Sequence, residues 1–310
     1  MLDLRRLRIL YEFSIRRTIA GTADALGYTA SAVSQQLATL EREAGTPLLD
    51  RTARSAELTD AGKMLVGHAE QILAMVEAAE SVLQEQADLP LGRVVVTGFP
   101  TAAVAFAPTL AHNLRQHPTL ELILRQTRGA NGARQVTRAE VDIALVDDWS
   151  GRTPDDQSGV LRFYHLFHDP MVLVVPADHA LADLERPLDV PQLRAAPWLT
   201  TPSGEPSRSA TDRILAEIDA TPSATMEFEG LSTILSLVAR GTGIAAVPSL
   251  VLSTDSSDVV CRPLPGLVPR RDVYAVARAT SIRRPSIDIT LRAVHTAARE
   301  LRESLAHVTS

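Results

Sequence analysis

The chain has 310 residues, 31 Lys+Arg against 37 Asp+Glu, and a formal net charge of −6. That length implies about two domains, and 45% hydrophobic with 22% charged residues excludes a disordered chain. A single cysteine, Cys261, excludes an intrachain disulfide or a cysteine-based zinc cluster and fits a reducing compartment.

Taken whole, the negative charge argues against nucleic acid, whose binding rests on neutralised phosphates. Along the chain it is uneven. Residues 1–63 hold nine Arg/Lys against eight Asp/Glu, residues 64–91 hold five acids and no base, and residues 92–310 hold 22 bases against 24 acids. Most of the deficit therefore sits in one short middle segment, and the first segment is close to neutral.

The N-terminus, MLDLRRLRILYEF, lacks the apolar stretch of a secretory signal. The uncharged run Val94–Leu114 is interrupted by Gly98, Pro100 and Pro108, so it reads as a strand, a turn and a helix start instead of a membrane span. A cytoplasmic protein is expected.

Leu4, Leu7, Leu10 and Phe13 recur at helical spacing. A second helix is expected over Thr18–Leu26, with Ala20, Ala23 and Leu26 inward and Gly27 ending it. Thr29 offers an N-cap to a third helix with Val33, Leu37 and Leu40 as its apolar stripe, closed by Gly45-Thr-Pro47. Two short helices around a glycine-containing turn fit a helix-turn-helix, with a plain three-helix bundle as the alternative. Arg51–Leu58 is polar enough for an exposed hairpin.

Thr59 and Asp60 then open a long helix in which Leu65, Ala69, Ile72, Val76, Ala79 and Leu83 form a heptad seam. The seam faces either a second copy of the chain or the chain's own core. Asp88-Leu-Pro90-Leu-Gly92 ends this helix.

Beyond it, strands and helices alternate. Strands are expected at Arg93–Thr97, Leu120–Leu124, Val141–Val146, Met171–Pro176, Trp198–Thr200, Ala224–Glu229, Ile244–Val247 and Val273–Ala277. Helices are expected from Thr101 to Gln116, Thr211 to Ile218, Leu231 to Arg240 and Pro285 to His307. This is an α/β pattern with a mainly parallel sheet.

From Leu4 to Ile72 the chain resembles the LysR-type bacterial transcriptional regulators, through LDLRRLRILYEF, TADALGYTASAVSQQLATLEREAGTPLLDR and LTDAGKMLVGHAEQIL. A weaker resemblance continues through Gly92-Arg-Val-Val-Val and Glu140-Val-Asp-Ile-Ala, the latter with Ala139 where the family pattern has glycine. It reaches Val238-Ala-Arg-Gly241-Thr-Gly-Ile-Ala-Ala-Val-Pro248.

The resemblance implies an α+β multidomain chain: a winged helix-turn-helix domain (1–58), a linker and dimerisation helix (59–89), and a two-lobed effector domain like a periplasmic binding protein (92–310). Lobe I would take about 92–165 and 268–310, and lobe II about 166–267. It further implies a dimer or tetramer acting on double-stranded DNA under a small-molecule effector, with RNA polymerase as a further partner.

A recognition helix enters the major groove by its N-terminal residues, here Thr29, Ala30, Ser31, Ala32, Ser34 and Gln35. Glutamine suits a bidentate contact to adenine and alanine a thymine methyl. Arg51 and Arg54 in the wing are candidates for phosphate or the minor groove. Effector contacts are expected where strands end and helices begin: Phe99, Pro100, Thr101 and Ala102; Arg128, Gly129 and Asn131; Thr200, Thr201 and Ser203; Glu229 and Gly230. Hydroxyls beside helix N-termini favour a carboxylate-bearing ligand.

No cofactor or metal is expected. Gly241-Thr-Gly243 is too short for a dinucleotide fingerprint, no G-x-S-x-G elbow frames a nucleophile, and His165, His168 and Asp169 read as lining a strand. A solute-binding or enzymatic α/β protein without DNA function is the alternative, and it would leave the helix-turn-helix unexplained.

Overall fold

The structure is a computed structural model that describes residues 1–51, 56–87, 92–127, 131–152, 154, 159–220, 222–253, 258–266 and 268–309. It divides into two compact units, Met1–Leu83 and Gln84–Ser310.

The first unit begins with α1 (Leu4–Arg16), α2 (Ile19–Leu26) and α3 (Ala30–Ala44). Each starts where a side chain takes up a free backbone N–H. Asp3 accepts from Arg5 and Arg6, Thr18 from Gly21, and Thr29 from Ala32. Gly27 and Gly45 end α2 and α3 in the left-handed conformation.

Leu7, Leu10, Phe13, Ala23, Val33, Leu37 and Leu40 form the buried core of this unit. Two expected core positions are not used. Leu4 is 43% exposed and Ile9 is buried in its stead; Ala20 is exposed, and Thr22 is buried with its hydroxyl donating to the Thr18 carbonyl.

A two-stranded hairpin follows, β1 (Leu49–Arg51) against β2 (Ala56–Leu58), and then α4 (Asp60–Ala87). The entry to α4 is clamped. The Thr59 hydroxyl donates to the Pro47 carbonyl and accepts from Gly62 N–H, while Glu41 of α3 accepts from the N–H groups of Leu48 and Leu49. Gly62 is required there, because a Cβ would lie 2.2 Å from the Leu48 carbonyl oxygen.

The heptad seam of α4 divides. Ala69 is fully buried in the unit's own core, with Leu65 and Ile72 packed against it. Ala69 therefore serves its own chain, while Leu65 and Ile72 are only half-buried against it. Val76 is half-buried and Ala79 exposed, and the Leu83 side chain lies outside the described residues. The open face of α4 is instead Met64, Gly67, His68, Gln71 and Met75.

The second unit contains β3 (Gly92–Gly98), α5 (Pro100–Leu114), β4 (Leu120–Gln126), α6 (Asn131–Thr137), β5 (Ile143–Asp148) and a 16-residue β6 (Leu161–Pro176). These are followed by α7 (Val190–Ala195), β7 (Trp198–Thr200), α8 (Pro206–Glu217), β8 (Thr225–Glu227), α9 (Leu231–Ala239), β9 (Ala245–Pro248), β10 (Val259–Arg262), β11 (Arg270–Arg278) and α10 (Pro285–Thr309).

The main sheet has the order β10-β6-β11-β5-β3-β4, with β9 also on β6. It is mixed, which corrects the expected mainly parallel sheet. β3 is parallel to β4 and β5, but β11 is antiparallel to β5 and β6, and β6 is antiparallel to β9 and β10. The cause is β6. Its first part pairs with β11 and its end, from Met171 to Pro176, pairs with β9 and β10. One strand thus carries the chain from the β3–β5 group to the β7–β10 group, and β11 brings it back.

α5 and α10 cover one face of the sheet over Val94, Val96, Ile143 and Val273, and α6 covers the other over Val95, Ala144 and Val276. A second core gathers around Trp198 with Leu173, Leu193, Ile214 and Ile244. The Gly241-Thr-Gly243 segment is structural: Gly241 has φ 76°, and a Cβ on Gly243 would meet the Pro197 carbonyl oxygen at 2.6 Å.

Ala139, standing where the family pattern has glycine, has φ 57°. That conformation costs a residue with a Cβ roughly 1–2 kcal/mol, while glycine there costs about 0.5–1 kcal/mol in extra chain entropy. Ala139→Gly should therefore raise stability by about 0.5–1 kcal/mol, read as a higher urea midpoint at constant slope. A lower midpoint would show that the backbone here is not strained.

Candidate nucleic-acid interface and effector site

The first surface is the amino end of α3. Val33 and Leu37 turn into the core, which leaves Thr29, Ala30, Ser31 and Gln35 exposed and Ala32 and Ser34 half-buried. Thr29 caps the helix and lies 3.1 Å from the Ser31 hydroxyl, so its oxygen serves the backbone first. Gln36 accepts from Arg6 Nε at 3.0 Å, and Arg6 also pairs with Glu43. This pins α1 to α3 and removes Arg6 and Gln36 from the free DNA-facing set.

Arg16 pairs with Glu12, while Arg5 and Arg8 are exposed. Arg51 ends β1, and Arg54 lies outside the described residues. Tyr28, 51% exposed in the turn before α3, escaped the sequence reading. A tyrosine in the turn before α3, in a chain with 4% aromatic residues, was the available signal.

The second surface is where β3 and β5 end. Phe99 and Ala102 belong to the core, which removes the Ala102 side chain as a contact. Thr101 is buried, and its hydroxyl accepts from Arg271 at 2.9 Å. Arg271, 3% exposed, is the centre of this region. Its Nε donates to Asp169 at 2.8 Å and one terminal nitrogen to Asp147 at 3.1 Å. Its guanidinium lies over the Phe99 ring at 4.6 Å and near Trp149 at 5.8 Å. Asp169, wholly buried, also accepts from the Ser249 hydroxyl and Leu250 N–H.

The third group centres on Arg208. Thr200 and Thr201 are buried, and Ser203 is exposed. Arg208 donates to the Thr200 hydroxyl, the Thr201 carbonyl, Asp212 and Glu227. The hydrogen bonds that it donates to Glu227 and Asp212 hold its guanidinium above the ordinary arginine value. Glu229 and Gly230 are exposed at the start of α9, and Asn131 opens α6. Arg128 and Gly129 lie outside the described residues. α5, α8 and α9 all begin without a side-chain cap, at Phe99, Glu205 and Gly230.

Residues 4–63 match the family model for a bacterial regulatory helix-turn-helix protein of the lysR family, and residues 87–303 match the LysR substrate binding domain. The chain belongs to the LysR family of transcriptional regulators. A probable RuBisCO transcriptional regulator of Nostoc sp. is 26% identical over 88% of this chain and 82% of its own. A probable cat1 operon transcriptional activator of Acinetobacter lwoffii is 28% identical over 80% and 81%. Among solved structures, a full-length OxyR variant from Pseudomonas aeruginosa shares the fold with a TM-score of 0.68, at 19% identity over 95% of this chain and 98% of that one.

As a member of the LysR family the chain is a DNA-binding regulator with an effector-binding domain. No described helix is long and apolar enough to cross a membrane. Cys261 stays a protonated thiol at neutral pH, because burial pushes it up to about 11.

His165 and His168 lie on β6, as expected, and their partner is Asp272 of β11 instead of Asp169. Both donate to Asp272, His165 at 3.1 Å. Burial pushes the Asp272 carboxyl up, but the two imidazole hydrogen bonds outweigh it and hold the carboxyl below the usual range.

Removing Arg271 would strand a wholly buried Asp169. Arg271→Met should cost about 3–5 kcal/mol, measured by urea unfolding of the full chain. A loss under about 1 kcal/mol would mean that water already reaches Asp169.

Proposed function

We propose that the chain binds an operator through the amino end of α3, with Ser31, Ser34 and Gln35 reading base edges and Ala30 and Ala32 meeting thymine methyls. The observation that carries this is the division of α3: one stripe is buried to the last side chain, and the amino end of the opposite stripe is open. Thr29 contributes chiefly by capping. Arg51 and Arg54 take the phosphate or minor-groove role, and Tyr28 adds an exposed ring and hydroxyl in the turn before α3. Because the first 63 residues carry almost no net charge, binding depends on two copies held together.

Self-association is assigned to the open face of α4, Met64, His68, Gln71 and Met75, continued by Val76 and Ala79. A dimer, or a tetramer of two dimers, presents paired recognition helices to one duplex. The protein works in the cytoplasm as a regulator without catalytic activity, and RNA polymerase is its expected partner at the promoter.

The effector is proposed to be a carboxylate-bearing small molecule, held by Thr101, Thr200, Thr201 and Ser203 with the uncapped starts of α5, α8 and α9. Arg271 and Arg208 are the cations nearest these hydroxyls, each already balanced by two carboxylates. LysG from Corynebacterium glutamicum, which shares the fold with a TM-score of 0.56, is described with bound effector Arg; arginine carries a carboxylate of this kind.

The test is a gel shift with the intergenic DNA beside the gene. The chain should retard it at low salt, Gln35→Ala should weaken specific binding by about 1–3 kcal/mol, and Arg51→Ala should weaken all sequences and flatten the salt slope by about 1. Absence of any shift at low salt would defeat the reading, and an unchanged slope would remove Arg51 from it.

A further inference from the structure

His165 and His168 are three residues apart on β6, a spacing that in a regular strand places side chains on opposite faces. Here the pairing with β11 slips. Tyr274 is opposite His165 and Val273 is opposite Phe167, so Leu166 has no counterpart on β11. One extra residue on one strand is a bulge, and it returns both imidazoles to the same face. Asp272 is directly opposite His168 and shares that face, as does Tyr274, whose ring meets His165 edge-on at 5.2 Å.

The outcome is two imidazoles converging on one carboxylate oxygen. Each of the three residues offers one ligand atom, these atoms all lie within 4.8 Å of one another, and the two ring centroids are 4.6 Å apart. Two donors on one tetrahedral ion at about 2.0–2.2 Å are roughly 3.3 Å apart; His165 Nε2 stands 3.1 Å from Asp272 Oδ1, while His168 Nδ1 is in closer hydrogen-bond contact with the same oxygen and would move back to admit the ion. The carboxylate is nearly buried, at 10% side-chain exposure, while the imidazoles are 40% and 52% exposed. The set is thus anchored in the sheet and open on one side, with room for water ligands. Asp148 of β5 is in register with Asp272 on its other flank and adds negative charge to the same face.

We propose that His165, His168 and Asp272 form a binding site for one divalent first-row transition-metal ion. Two imidazoles and a carboxylate suit zinc, cobalt or nickel, whereas magnesium and calcium prefer all-oxygen sets. The site lies on the strands that pass between the two strand groups of the second unit, at the one place where their ladder is broken. A bound ion would join β6 to β11 there by side-chain ligands. Asp169 and Arg271, the neighbours of His168 and Asp272, point to the opposite face of the same two strands, where they pair with each other and Arg271 holds Thr101.

The experiment is calorimetric titration of the untagged, chelator-stripped full-length chain with zinc chloride, with cobalt absorption as a second readout. One saturable equivalent per chain is expected, with cobalt bands of a low-coordinate, nitrogen-ligated ion. Affinity should fall at least about tenfold in His168→Gln and in Asp272→Asn, and stay unchanged in His112→Gln, which alters a histidine on α5. His168 is half exposed, so its variant should keep the fold, checked by circular dichroism, even if Asp272→Asn does not. No saturable zinc binding, or binding that survives in the His165→Gln/His168→Gln double variant, would overturn the proposal. Magnesium displacing zinc at equal concentration would overturn the ion class.

Discussion

The second unit depends on one buried cation. Arg271 sits 3% exposed between Asp169 and Asp147, gives a third hydrogen bond to Thr101, and lies against Phe99. A charge so enclosed is tolerated only because its donors are matched by fixed acceptors. That match needs β5, β6, β11 and the first turn of α5 to be in place together. Asp169 in turn orders the backbone after β9 through Ser249 and Leu250. A single ion-paired cluster therefore joins the middle of β6 and the start of β11 to the helix start proposed to meet the effector. Any ligand that competes for Thr101 or Arg271 must rearrange this cluster, a discrete change of the kind a regulator can use.

The first unit solves a different problem. Its core is small, and each helix is secured by local devices: Asp3, Thr18, Thr29 and Thr59 at the starts, Gly27 and Gly45 at the stops. Glu41 and Gly62 fix the hairpin to the beginning of α4. The Arg6–Gln36 and Arg6–Glu43 contacts lock α1 to the middle and carboxyl end of α3, away from its amino end. A rigid scaffold with one open helix end is what base readout requires.

Where local chemistry decides structure, the sequence was legible. The caps, the glycine stops and the stripe of Val33, Leu37 and Leu40 were all readable, and Trp198–Thr200 forms a strand over the residues expected. Where distant partners decide, it was not. β6 was expected only from Met171; Pro170, just before it, sits where the strand changes partners. Short elements such as α6 and β10 have too few residues for a period. Ala69 on α4 looked available to a second copy, because a heptad does not say which chain fills it. The largest gap was electrostatic. Arg271 and Asp272 are adjacent in an apolar strand, yet they face opposite sides and serve different clusters. His165 and His168 share a face only because of a bulge that no spacing reveals. The net charge of −6 misled in the same way, since it is concentrated in residues 64–91 and not in the first 63 residues.

The central claim is that two copies of this chain place paired α3 amino ends in the major groove. Dimethyl sulfate probing of the intergenic duplex bound to the full-length chain tests it directly, because the reagent reports guanine N7 on the major-groove edge. The account predicts protection in two half-sites separated by a whole number of helical turns, about 34–36 Å per turn, and loss of that pattern in a Ser31→Ala/Gln35→Ala variant. Protection unchanged in the double variant, or confined to a single site, would contradict it.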